Sequence, residues 1–236
     1  MRISIVGYGV VGKATASLCS RFGHEVVPSD LGDDPAGVAA SIRFICTPET
    51  VAPQIVERLW TSGVPGIIAI RSSVPPGTTL GLAKKSELYQ RLYHIPEFLR
   101  AATAEQDALA APNLVVGAAV PAGSIPDPAW VHPTLMDFIY SVRKRMLLCT
   151  STESELAKLA TNAYLATLIS FFNDLTVLSG IAGVNSHVVA RLMHLNDSRV
   201  GDYGALRHGL SFGGHCLPKD MAQLLDMATE AGMDVP

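Results

Sequence analysis

Along the first 150 residues, short apolar runs rich in β-branched side chains alternate with segments whose apolar positions recur at helical spacing. Residues 2–6 predict a strand, 7–12 a tight glycine turn and 11–22 a helix with small residues on one face. A second strand at 25–29 is closed by Asp30. Further strands are expected at 42–46, 66–70, 92–94, 114–117 and 146–149, with helices at 51–60, 78–90 and 135–142. This rhythm predicts an α/β fold with a doubly wound parallel sheet. The stretch 121–133, rich in Pro, Gly and Asp, reads as a linker.

From Thr152 the period changes. Thr152-Glu153-Ser154-Glu155 looks like a helix start with acids in the first turn, and the helical pattern it opens runs to about Ser179 before Gly180 and Gly183. Helices at 186–194 and 219–231 follow, separated by a glycine-rich loop over 196–216. Two domains are therefore expected, an α/β domain over 1–150 and a smaller all-helical one over 151–236.

Composition narrows the options. With 48% hydrophobic and 17% charged residues, a chain of 236 can bury a sizeable core, which excludes disorder for most of its length. The net charge of −3 and the absence of Lys/Arg runs argue against nucleic acid or an anionic membrane surface as partner. No uninterrupted apolar stretch reaches the roughly 18–20 residues of a membrane span, and residues 3–11 lack the features of a signal peptide. Cys19, Cys46, Cys149 and Cys216 are scattered, with no zinc-type spacing, so neither a disulfide framework nor a metal site is expected. A cytoplasmic protein is the resulting expectation.

Gly7-x-Gly9-x-x-Gly12 follows a predicted strand and opens a predicted helix, and Asp30 stands 18 residues beyond the last glycine at the end of the next strand. In that context Gly7, Gly9, Val10, Val11 and Gly12 offer backbone N–H groups to a pyrophosphate, and Asp30 accepts from a ribose 2′-hydroxyl. An acid there repels a 2′-phosphate, so NAD is expected over NADP, on a Rossmann-like fold. Cys216 sits after Gly213 and Gly214, before a helix start and near Lys219, which suits a thiolate nucleophile; an inert core cysteine is the alternative. Lys158 and Asn162 share a helix face with Glu155, as catalytic groups or as a solvated face. Glu97 is either a site carboxylate at a strand end or an exposed loop acid. The hydroxyls of 71–79 either cap a helix or hold a water.

Taken in order, these pieces resemble the nucleotide-sugar 6-dehydrogenases, the family of UDP-glucose, GDP-mannose and UDP-N-acetylhexosamine dehydrogenases. The matching motifs are Gly-Tyr-Gly-Val-Val-Gly at 7–12, Phe-Ile-Cys-Thr-Pro at 44–48, Arg-Ser-Ser-Val-Pro-Pro-Gly-Thr-Thr at 71–79 and Pro-Glu-Phe-Leu-Arg at 96–100. Further on come Glu-x-x-Lys-x-x-x-Asn at 155–162, Phe-Phe-Asn at 171–173, Asp-Ser-Arg-Val-Gly at 197–201 and Phe-Gly-Gly-His-Cys-Leu-Pro-Lys-Asp at 212–220.

The resemblance implies oxidation of a sugar CH2OH to a carboxylate with two NAD, as in polysaccharide precursor synthesis. By it, Cys216 is the nucleophile, Lys158 and Asn162 serve the reacting oxygen, Asp220 and Ser73 hold a water, and Glu97 is the base for thioester hydrolysis. Thr47, Pro48, Ser72, Val74 and Lys219 would join the cofactor site, and Phe98, Leu99, Arg100, Phe212, Gly213 and Gly214 the substrate site. Arg199 would reach the substrate of a second subunit, which implies a homodimer built on the long helix. Three departures stand out. Ala101 replaces the family's acid and Ser73 its threonine; only ten residues separate Asp30 from Ser41; and the family's further nucleotide-binding domain is not reached, which leaves a separate chain supplying it, a smaller substrate or a truncated product as alternatives. The competing readings are a two-electron alcohol or hydroxyacid dehydrogenase on a smaller substrate and a non-catalytic NAD-binding protein.

Overall fold

The computed structural model describes residues 1–30, 32–197, 214 and 216–233. They divide into two compact units, Met1–Lys158 and Leu159–Pro236, so the division falls inside the long helix rather than at its start.

The first unit is built on seven strands: β1 (Arg2–Val6), β2 (Glu25–Ser29), β3 (Ile42–Ile45), β4 (Ile67–Ile70), β5 (Leu92–His94), β6 (Asn113–Ala118) and β7 (Arg145–Thr150). Their order is β2-β1-β3-β4-β5-β6-β7. The five-strand block runs parallel, as continuous Ile- and Val-rich strands buried on both faces should. The expectation of a wholly parallel sheet is corrected at β6, which pairs antiparallel with β5 and parallel with β7. After helix α4 (Ala104–Ala110) the chain runs back beside β5, so that the end of β6 pairs with β5 at Tyr93 and His94. That helix is absent from the sequence pattern; it packs on α1 (Val10–Arg21) through Ala14, Ala104 and Ala108, with Leu99 beside them. α1 and α5 (Pro133–Ser141) border one apolar layer around Phe44, Tyr93, Leu135 and Phe138, and α2 (Ala52–Thr61) and α3 (Thr78–Ser86) border the other, around Val56, Leu59 and Ile70. α3 is shorter than expected because Glu87 adopts a left-handed conformation with φ of 56° and ends it.

The short connection from β2 to β3 is closed by Arg43. This fully buried guanidinium donates to the carbonyls of Val38, Ala40 and Pro65, doing with one side chain what a longer crossover would do by packing. β2 is left as an edge strand. Glu25 N–H donates to Met1 and Ser29 C=O accepts from Gly7, so the period of two turns the backbone of Pro28 outward, where no N–H is missed. The stretch read as a linker is ordered at Pro128–Trp130, whose Trp130 carbonyl accepts from the Tyr93 hydroxyl at 2.9 Å.

The long helix α6 (Ser151–Ile181) starts one strand residue earlier than its motif suggests. Thr150 and Glu153 form a reciprocal box: Thr150 N–H donates to Glu153 Oε2 at 2.8 Å and Glu153 N–H to Thr150 Oγ1 at 3.2 Å. α7 (Ser186–Asn196) and α8 (Cys216–Glu230) complete the second unit. By length and composition alone α6 could cross a bilayer, with an 18-residue window of mean hydropathy 1.3, but polar residues interrupt it throughout, so it is not an uninterrupted apolar stretch.

Two glycines of the 7–12 turn differ in what they tolerate. A Cβ on Gly12 would lie 2.0 Å from the Gly7 carbonyl oxygen, whereas one on Gly9 meets nothing within 4 Å. Gly12→Ala should lose about 3 kcal/mol or more in urea unfolding, because backbone cannot yield as a side chain does. Gly9→Ala should lose far less. Equal stability of the two variants would refute this account of the turn.

Candidate active site

The carboxyl ends of β1 and β3 mark the point where strand order reverses, the place where open α/β sheets hold ligands. Gly7, with φ of 90°, sits so close to the backbone of Cys46 and Thr47 that a Cβ would come within 2.9 Å of three of their atoms. α1 begins at Gly9 without a side-chain cap, leaving its first N–H groups available to an anion. Asp30 is exposed at the end of β2, and Asp33 turns back to accept its backbone N–H at 2.8 Å. The Thr47 hydroxyl is buried with no partner among the described residues, while Ser72 Oγ donates to the Thr47 carbonyl at 2.5 Å. A cavity of about 420 Å³ opens beside this turn, lined by Val10, Lys13 and the 101–106 segment, with Ala101 in its wall. Uncapped N–H groups, an orphaned hydroxyl and an exposed carboxylate fit the diphosphate and ribose of a dinucleotide.

Next to it in the first unit lies a buried ion pair. Lys158 Nζ is 3.2 Å from Glu97 Oε1, with the side chains 5% and 11% exposed, and the ammonium stands 5.5 Å over the Phe98 ring. Glu97 Oε2 accepts the Leu99 N–H at 2.7 Å. Neither the solvated face nor the exposed loop acid describes these residues. One turn earlier on α6, the fully buried Glu155 accepts from Gly77 N–H at 2.6 Å, Thr79 N–H at 2.8 Å and Thr79 Oγ1 at 2.5 Å. It thereby caps α3, whose own N-cap is a glycine. Burial pushes its carboxyl up to about 7, against the downward pull of those hydrogen bonds. Val74 is fully buried in the apolar layer beneath, and Ser73 is half-buried.

In the second unit, Asp220 is fully buried and accepts from Asn162 Nδ2 at 2.5 Å and from Lys219 Nζ at 2.6 Å. Cys216 opens α8 one helical turn before Asp220, and it is exposed. The other three cysteines fit inert core thiols: burial pushes Cys19 up to about 12, and Cys46 and Cys149 up to about 11.

Residues 152–236 match the model of the UDP-glucose/GDP-mannose dehydrogenase family, central domain. Over this segment the chain is similar to that family. The chain is 32% identical over 158 residues to the UDP-glucose 6-dehydrogenase of Streptococcus pneumoniae, and 27% identical over 297 aligned positions to that of Haloferax volcanii. The first match takes in 66% of this chain and 39% of the relative, the second 99% and 67%. A UDP-glucose dehydrogenase structure from the archaeon Pyrobaculum islandicum superposes with a TM-score of 0.79 at 25% identity, covering 98% of this chain and 65% of that one. The chain thus spans about four-tenths of the length of the streptococcal relative and about two-thirds of the archaeal ones.

The predicted residues fall into two groups, one per unit. Glu97, Phe98, Lys158, Ser72, Ser73, Thr47, Pro48 and the glycine turn lie in the first unit, and Asn162, Lys219, Asp220, Cys216 and Gly214 in the second. Arg199, Phe212 and Gly213 lie outside the described residues. Arg100 is held by Asp107 through two bonds, Nε–Oδ2 at 3.0 Å and Nη2–Oδ1 at 2.6 Å, and the guanidinium keeps that carboxyl well below its ordinary range. Sequence reasoning missed Asp107 because the helix that carries it was itself missed. It also missed Glu155 as the cap of α3, since its partners are 76 and 78 residues away.

Lys158→Met should destabilise the protein by about 3–5 kcal/mol, by leaving Glu97 as an unpaired buried carboxylate. The double variant Glu97→Gln/Lys158→Met should recover most of that loss in urea unfolding. A single variant as stable as the parent would show that the pair is more solvated than its burial indicates.

Proposed function

We propose that the protein is an NAD-dependent nucleotide-sugar dehydrogenase that oxidises a primary alcohol, the sugar C6 CH2OH, to a carboxylate. The observation that carries the reading is the exposed Cys216 thiol at the start of α8, one turn from a buried Asp220 that is hydrogen-bonded to Asn162 and Lys219. A simple alcohol dehydrogenase has no use for such a thiol. The Gly7–Gly12 turn with Val10 and Val11, Asp30, Thr47, Pro48, Ser72, Val74 and Lys219 would hold the cofactor, and bound NAD supplies the hydride acceptor for each of two successive oxidations.

In this mechanism the alcohol loses its proton toward the Lys158–Glu97 pair as the first hydride leaves. Cys216 adds to the resulting aldehyde carbon, giving a thiohemiacetal whose oxyanion is stabilised by Lys158 and by an Asn162 N–H. Loss of the second hydride leaves a thioester on Cys216. Water held by Ser73 and Asp220 is deprotonated by Glu97 and attacks the thioester, releasing the carboxylate and regenerating the thiol. One alcohol and one water therefore yield one carboxylate and two reduced cofactors. Phe98, Leu99, Arg100, Arg199 and the 212–214 segment would contact the nucleotide sugar.

With the purified protein and NAD, a panel of UDP-glucose, UDP-N-acetylglucosamine, UDP-N-acetylmannosamine and GDP-mannose should show absorbance at 340 nm with one substrate, at two NADH per sugar. Cys216→Ser should abolish acid formation or stop after the first oxidation. Full turnover by that variant would favour the two-electron reading, and NAD binding without any reduction would favour the non-catalytic one.

The reading includes a homodimer. Along α6, Tyr164, Phe171, Val177, Leu178 and Ile181 are 49–80% exposed, an apolar set interrupted by the exposed Thr167 and Asp174 on a helix of 31 residues. A second copy of that helix, presenting the same surface, is the occupant the family resemblance favours, and it would bring Arg199 of one chain toward the substrate of the other. Light scattering at micromolar concentration should give twice the 25.0 kDa chain mass, and Leu178→Glu should give the monomer. A monomeric parent protein would remove the dimer and the role of Arg199 together.

A further inference from the structure

His94 ends β5, and it is fully buried. Its Nδ1 is 2.7 Å from Ser154 Oγ on the first turn of α6, and its Nε2 is 3.2 Å from the Ser72 carbonyl. A carbonyl oxygen only accepts, so Nε2 carries the proton and donates; in a neutral ring Nδ1 is then an acceptor and takes the Ser154 hydroxyl proton. Ser154 Oγ also stands 2.8 Å from the Ser151 carbonyl, so two acceptors compete for that one proton. A charged ring would free the proton for Ser151. The charges around His94 oppose this: Arg71 at the end of β4 and Lys158 on α6 are both cationic, and its neighbour across β6 is Gly117, which has no side chain. Burial first, then those two cations, hold its pKa down to about 3, against the pull of the Ser72 bond.

Space for the contact is provided on purpose by the chain. A Cβ on Gly117 would lie 2.1 Å from Ser154 Oγ, so a glycine at that strand position is what lets Ser154 reach the imidazole. The same turn of α6 continues with Glu155, which grips Gly77 and Thr79, and Lys158, which grips Glu97. The loop between β4 and α3 is therefore held at both ends, by His94 at Ser72 and by Glu155 at Gly77 and Thr79, with Ser73 in between.

We propose that His94 is a positioning residue: its imidazole ties the Ser72 carbonyl to Ser154, and so fixes Ser73 and Lys158 with respect to each other. His94 touches no reacting atom; it acts through the loop and the helix. The geometric part stands on the first unit alone, while the effect on turnover rests on the dehydrogenase reading.

Four measurements test it. In a long-range ¹H–¹⁵N spectrum of the full chain from pH 8 to pH 5, the His94 ring should stay neutral with its proton on Nε2; a ring that titrates near 6.5, or carries its proton on Nδ1, overturns the proposal. In hydrogen exchange, His94→Leu and Gly117→Ala should each speed exchange of the backbone amides of 73–79 by about tenfold or more, and His94→Gln, whose amide can both donate and accept, by less. Unchanged exchange in both disruptive variants overturns it as well, and if His94→Leu does not fold, Gly117→Ala decides, because it leaves the imidazole in place. The pH dependence of unfolding gives an independent sign. Below pH 6.5 the unfolded chain takes up a proton on His94 that the folded chain refuses until about 3, so His94 makes folding weaker as pH falls through that window. Glu155, raised to about 7, works in the opposite direction between 7 and its ordinary range, and it is common to parent and variant. The melting temperature of His94→Gln should therefore gain on the parent as pH falls below 6.5; a constant difference counts against a neutral buried ring. Where the NADH assay reports turnover, His94→Leu should lower kcat about tenfold with KM within a factor of two, partly restored in His94→Gln. Absence of turnover in the parent would defeat the dehydrogenase reading and leave the spectrum and the exchange rates to judge His94.

Discussion

The Glu155 carboxylate is the contact on which the first unit's site depends. It is buried, which alone would favour its neutral form, yet it receives three hydrogen bonds from the start of α3. Gly77 can turn the chain at a φ of 91° because it has no side chain, and for the same reason it cannot cap the helix it precedes. A side chain from a distant element does so instead. That element, the first turns of α6, also carries Ser154 and Lys158, so one rigid surface meets β5, the loop after β4 and the segment after β5 together.

Reactive side chains are divided between the units. The first holds a cation and a carboxylate in a buried pair, with the cation over an aromatic ring. The second holds a thiol at the surface with a carboxylate buried beneath it. A buried ion pair can pass a proton with little movement, whereas an exposed thiol can reach a substrate carbon and later release it. α6 runs through both units, carrying Lys158 and Asn162 four residues apart.

What the sequence reveals of this depends on how local the cause is. The glycine turn, Asp30 and the strands of β1 to β5 are encoded by residues adjacent in the chain, so their pattern could be read directly. The direction of β6 could not, because a strand of six residues has the same apolar alternation whichever way it runs. α4 was missed since its buried face is Ala104 and Ala108, too small to register as an apolar stripe. The start of α6 was placed at Thr152, because its actual cap, Thr150, is also the last residue of β7. Lys158, Asn162 and Glu97 were identified by motif, but whether they were buried could be decided only by what folds over them.

Pro28 carries a consequence for the behaviour of the protein in crowded solution. β2 has a neighbour on one side only, and an exposed strand edge is a template on which extended segments of other chains can add. A proline at the outward position removes a donor from that template, and the adjacent salt bridge between Arg2 and Glu25, at 3.1 Å, puts charge beside it. Strand addition is disfavoured at this edge of the sheet, because an incoming segment would find one donor fewer and a charged pair beside it.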